Sequence, residues 1–177
     1  MDNYPKEFAP AFNEGGGVET PFEEWWPRVQ GAFPHVPEEV ARTWLHEHWN
    51  YSPYQYLPSA DYRFRKVNWD AGDLWNIRTT WADYAPGNRA AYEHGKFLAT
   101  SPTFLEYRTA MYMKTHGRFP APIIVLDNQD DHLHQYDDFI PSGYILIEGH
   151  RRFNLALYLQ REGSLEPILP IWIMYRP

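Results

Sequence analysis

The sequence has no cysteine, which removes thiol catalysis, thiolate metal sites and disulfide staples. It has no apolar run near the roughly 18 residues that span a bilayer as a helix. Its first stretch, MDNYPKEFAP, lacks the basic start and apolar segment of a secretory leader, so the expectation is a cytoplasmic protein with no membrane partner. Positive charge is also scarce: 16 Lys and Arg stand against 23 Asp and Glu, for a net charge of -7. Gripping a nucleic-acid backbone over a whole face needs a basic surface, so nucleic acid is a disfavoured partner and only a local basic pocket is left.

What the chain does have is 177 residues, 44% of them hydrophobic and 18% aromatic, with 16 prolines. That is enough for one buried core with additions, its turns pinned by aromatic packing. Residues 1–60 read as an N-terminal extension, glycine-rich and polar through NEGGGVE, then helical. In TPFEEWW, Thr20, Pro21 and Glu23 match a capping box. From Pro37 to about Trp49, Val40, Ala41, Trp44, Leu45 and His48 fall on one helical face, and Asn50 and Pro53 close it.

Residues 61–177 read as the main domain, with a loose boundary near Ser59. YRFRKVNW alternates like a strand, and an irregular helical region is expected from Leu74 to Phe97. SPTFLEYRTAMYMKTHG has Ser101 as cap, Pro102 at the first position, Lys114 and His116 in the last turn, and Gly117 as stop. APIIVLDN is a buried strand, QDDHLHQYDDFIPSG a polar loop, YILIE a strand, HRRFNLALYLQRE a helix and PILPIWIM a last strand. Apolar strands alternating with helices indicate an α/β or α+β domain whose sheet is covered, and the expectation is an α/β-like α+β fold with a small mixed sheet.

GYILIEGHRRFNLALYL poses the sharpest question. It runs apolar, breaks at Gly149, and restarts as a helix with Arg151 and Arg152 in the first turn. A helix N-terminus already carries partial positive charge, so cations there need a negative partner. A phosphate is one candidate: glycine admits close approach, and helix amides with guanidinium groups make an anion site. Glu148, immediately before the glycine, is the other.

A helix ending in Gly117, a strand with Pro122, Ile123 and Val125, a second strand with Ile145, and a G-x-x-R turn from Gly149 to Arg152 together resemble the ParB/sulfiredoxin-like superfamily. The likeness spans roughly Tyr62 to Met174 and is strongest from Ser101 onward. It implies a nucleotide partner, ATP or CTP with Mg²⁺, bound by Gly149, His150, Arg151 and Arg152, with Asp70 and Asp73 adding contacts. It also implies hydrolysis or phosphoryl transfer, for which Glu148 and Asp127 are the candidate catalytic carboxylates. Sulfiredoxin's reductase chemistry is excluded, because its catalytic cysteine is replaced by His150. The partitioning proteins' helix-turn-helix has no counterpart after this core. Two alternatives stay open: a DNA-binding or nuclease-type relative, and a non-catalytic protein-interaction module.

Other features have simpler readings. Asp130, Asp131, His132, His134, Asp137 and Asp138 mix metal-ligand types in one loop, but such loops are more often solvated. His46 and His48, at i and i+2, do not share a helical face. Trp25, Trp26, Trp44, Trp49, Tyr51, Tyr54 and Tyr56 could stack bases, but the favoured reading is packing of the extension onto the core, or a homodimer or protein-partner interface.

Overall fold

The structure is a computed structural model that describes residues 5–52, 54, 57, 60–135 and 138–177, with the side chains of residues 134, 135, 138 and 139 set aside. Pro53, Ser59, Tyr56 and Asp137 therefore lie outside the described residues, as do the side chains of His134 and Asp138. The chain forms two compact units, residues 1–64 with 175–177, and residues 65–174.

The first unit is built on aromatic packing. Helix α1 (Phe22–Val29) buries Phe22, Trp25, Trp26 and Val29 on one side. Helix α2 (Glu38–Val40) continues as π-helical turns over Ala41–His46, where Trp44, Leu45 and His46 are buried in succession. The Trp25 indole donates to Phe8 O at 2.7 Å and that of Trp44 to Ser52 Oγ at 2.9 Å, so both rings are sunk with their polar atoms satisfied. Thr20 is not the cap the sequence suggests. Pro21 occupies that position with no side-chain bond, and the Thr20 hydroxyl accepts from Ala11 N at 2.9 Å instead.

The second unit holds the mixed α+β architecture. Its strands are β1 (Arg63–Asp70, beginning in the first unit), β2 (Ile77–Arg78), β3 (Ile124–Asn128), β6 (Gly143–Glu148) and β7 (Ile168–Tyr175). They form a sheet in the order β1-β7-β3-β6-β2. β3 runs antiparallel to β6 and parallel to β7, while β2 runs parallel to β6. The central β3 is buried at Ile124, Val125, Leu126 and Asn128, as a continuous apolar run requires when both faces are covered. A separate two-stranded ladder, β4 (His134–Gln135) with β5 (Asp138–Phe139), sits inside the segment read as loop.

The helices are α3 (Arg89–Thr100), α4 (Arg108–His116) and α5 (His150–Arg161). α5 has polar ends and is buried nearly all round in its middle, over Phe153 to Leu157 and Leu159, and so is the central helix. The single helix expected from Ser101 to Gly117 is broken. Ser101 caps a 3₁₀ turn over Pro102–Phe104, Tyr107 leaves the helical region at ψ 106°, and only then does α4 begin. Rings pack at that corner, with Phe104 5.4 Å from Phe97 and 6.2 Å from Tyr107. Gly117 closes α4 with φ 65°, as its position predicts. The region from Leu74 to Phe97 holds β2 as well as helix, and two residues are too short for a periodic signal.

α3 crosses α5 at Gly95, where a Cβ would overlap the Asn154 carbonyl. The obstacle is backbone, which has no rotamer to yield. Gly95→Ala should therefore destabilise the chain by about 1–3 kcal/mol despite alanine's better helix propensity. An unshifted or raised urea midpoint in that variant would show the two helices to be further apart.

Candidate anion site at the start of helix α5

Gly149 is the hinge between β6 and α5, at φ 96° and ψ 29°, a left-handed conformation that glycine adopts at little cost. A Cβ there would also lie 2.7 Å from Ile123 Cγ2 and 3.2 Å from Arg152 Nε. No side chain caps the helix. Its first-turn amides point out of the end, where the dipole is positive.

The two arginines of this turn do different things. Arg152 folds back: Nη1 donates to Ala121 O at 2.7 Å and Pro122 O at 3.1 Å, and Nη2 lies 3.6 Å from Glu148 Oε1. Both side chains of that ion pair are mostly buried, 13% and 14% exposed. Arg151 is exposed, with its guanidinium carbon 5.7 Å from the Tyr107 ring centroid and no carboxylate partner among the described residues. The negative partner that the first turn demands is therefore present for Arg152, as Glu148 with two carbonyls. Pro122, Ile123, Gly149 and Arg152, four of the residues that carry the family resemblance, meet in this one turn.

Beside it lies a cluster that sequence reading missed. The Asn154 amide donates to His94 Nδ1 at 3.0 Å, an assignment that leaves the ring proton on Nε2. Trp81, 47% exposed, sits 4.4 Å from the His94 ring. Burial first, then the Arg151 charge, holds His94 below its ordinary value of about 6.5. Arg151 and Asn154, at i and i+3, share a helix face, so His94 and Arg151 flank the same end of α5. The one advance signal was a lone asparagine in the apolar stretch FNLALYL.

The remaining candidates are elsewhere. Asp127 pairs with Tyr144 and Glu148 with Ile124 in the β3–β6 ladder, so the two residues stand about 10–13 Å apart along it. This antiparallel register keeps them from one catalytic centre. Asp70 accepts from Gly72 N at 2.7 Å, capping the turn Ala71–Asn76, and Asp73 accepts from the Asn76 amide at 3.4 Å. Burial, then Asp127, raises the Tyr144 hydroxyl, Arg65 opposes and Asp73 adds to it. Asp73 therefore gathers with Asp127 around Tyr144, at the far end of β6 from Gly149.

In the polar loop, Asp130 bonds His132 Nδ1, which lowers the Asp130 carboxyl. Among the described residues no group of three or more His, Asp or Glu is arranged to hold a metal ion. His46 is buried against Phe22 and Trp25, with Nε2 2.8 Å from Thr20 O. Trp25, Trp26, Trp44, Trp49 and Tyr54 are buried within the first unit, whereas Tyr51 is 65% exposed. Among the described residues no helix is long and apolar enough to cross a membrane.

No protein-family model, curated protein or solved structure matches the chain.

Arg152→Ala removes a buried cation from two carbonyls and a carboxylate, and should cost about 2–3 kcal/mol in urea unfolding. Arg151→Ala should stay within about 0.5 kcal/mol, and equal losses from the two would refute the division of roles. Folding holds His94 below its ordinary value, so its contribution is present above about pH 6.5 and is lost as pH falls through the folded value. Ring titration by NMR should give a midpoint under 6.5 that rises in Arg151→Ala. A midpoint indifferent to that substitution would show the two groups to be uncoupled.

Proposed function

We propose that the chain binds a nucleoside triphosphate, ATP or CTP, by its phosphates at the start of α5, as resemblance to the ParB/sulfiredoxin-like superfamily implies. One observation carries the reading. Arg151 is an exposed cation without a carboxylate partner among the described residues, on a helix end with no capping side chain. Dipole, amides and guanidinium all favour a polyanion there. Trp81 over His94 adds an exposed ring face on the same side, against which a base can lie.

Mg²⁺ fits this reading as an ion carried by the phosphate oxygens themselves, which suits its preference for keeping water and few protein ligands. The geometry supports binding more than turnover. Glu148 is engaged with Arg152, and Asp127 is at the other end of the strand pair. Hydrolysis or phosphoryl transfer at this turn would require Glu148 to release Arg152.

Arg152→Ala is a poor test, because that side chain also holds the turn together. Arg151→Ala is the informative variant. Titration calorimetry of ATP, CTP and GTP with Mg²⁺ should show saturable binding to the full chain, at least about tenfold weaker in Arg151→Ala at an unchanged urea midpoint. No binding by any triphosphate, or affinity indifferent to Arg151, overturns the reading. Tighter, steeply salt-dependent binding of an oligonucleotide would make a nucleic-acid backbone the ligand instead.

A further inference from the structure

α3 and α4 enclose an apolar groove of 230 Å³ that the phosphate reading does not use. Its floor is Leu98, Ala99 and Ala110, and its walls include Phe104, Leu105 and Met111. Leu105 is 67% exposed, Met111 52%, and Phe97, whose ring contacts Phe104, 52%. Half of the large hydrophobic side chains that stand exposed among the described residues thus collect around one groove. Scattered exposed apolar residues need no explanation, but a contiguous set around a cleft marks a docking surface.

The charge around it selects the partner. Over residues 89–118 the chain carries Arg89, Lys96, Arg108, Lys114 and Arg118 against only Glu93 and Glu106, in a protein of net charge -7. Lys114 lines the groove and donates to Ala99 O at 3.1 Å, which holds its ammonium beside the groove. Arg108 is exposed and lies one turn before Met111 on the same face of α4. Glu106 is the acid adjoining Leu105, and Lys96 on α3 is exposed as well. Lys114 in the lining, with the exposed Arg108 one turn before Met111, gives the apolar floor a cationic side that complements an acidic partner with an apolar stripe.

The shape narrows the occupant further. The volume is below the roughly 300–1,000 Å³ of small-molecule sites, so it suits one or two anchoring side chains. The walls are α3, α4 and the short turn between them, with no strand edge among them, so they offer an extended peptide no ladder to join. A helix brings its own hydrogen bonds and seats between two others by side-chain interdigitation. A two-fold dimer through this groove would set the same cationic side against itself.

We propose that the α3–α4 groove docks an acidic amphipathic helix of a partner protein, with Leu105 and Met111 gripping its apolar stripe and Arg108, Lys96 and Lys114 meeting its carboxylates. The probe is a labelled 18-residue peptide with leucine at every third or fourth position and glutamate elsewhere. A scramble of the same composition and a leucine–lysine version serve as controls. Fluorescence anisotropy with the full chain should show saturable binding of the acidic helix, weakening as salt rises. Binding should fall at least about tenfold in Leu105→Asp and in Met111→Asp, both changes at exposed positions. The Lys96→Glu, Arg108→Glu double variant should prefer the leucine–lysine peptide. The proposal is overturned by equal binding of the scramble, by affinity indifferent to these variants, or by no binding. It is equally overturned by sedimentation that shows a dimer of the chain abolished by Leu105→Asp, which would make the occupant a second copy.

Discussion

Between the carbonyls of Ala121 and Pro122 and the carboxylate of Glu148, the Arg152 guanidinium holds the approach to β3 against the first turn of α5. A cation so little exposed is tolerated because acceptors meet it on several sides. The close approach also needs Gly149, since any Cβ there would strike Ile123 and crowd the guanidinium itself. The G-x-x-R pattern therefore has a packing reason that holds whatever ligand is present. The glycine makes room, and the arginine three residues on fills it.

With Arg152 occupied, Arg151 is left to face outward at the positive end of a helix dipole. It rests over the Tyr107 ring and lowers the proton affinity of His94. Cation, dipole and neutral imidazole leave this end of α5 with an excess of positive potential. Neighbouring residues of one type have thus been divided between holding the fold and meeting the solvent.

The crossing of α3 and α5 at Gly95 governs what lies on either side. The close backbone approach lets Asn154 reach His94 from within the buried middle of α5. It also leaves the far end of α3 to meet α4, where the chain breaks at Tyr107 and turns Phe104 and Leu105 to the groove. Basic residues gather along this stretch while the chain as a whole is acidic, so its surface charge is segregated rather than mixed.

Much of the second unit was legible in the sequence. β3, β6, α5 and β7 follow from apolar runs and punctuating glycines, because a run buried on both faces and a glycine that ends or starts a helix are local signals. Trp25, Trp26, Trp44, Trp49 and Tyr54 are buried within the first unit, which leaves them little ring surface for stacking bases, whereas Tyr51 is exposed. β2, the break before α4 and the β4–β5 ladder were not legible, because each is short and is held by partners distant in the chain. That Glu148 and Asp127 stand apart was not legible for the same kind of reason: both flank apolar strands, but antiparallel register sends them to opposite ends. Local patterning by itself determined that strands and helices share one domain, the central strands and helix, and the need for a negative partner at the first turn of α5. Only the tertiary structure decided that this partner, Glu148, serves Arg152 and not Arg151, because the two carbonyls that fix the Arg152 guanidinium beside it, Ala121 O and Pro122 O, lie 31 and 30 residues away and no local signal carries that distance.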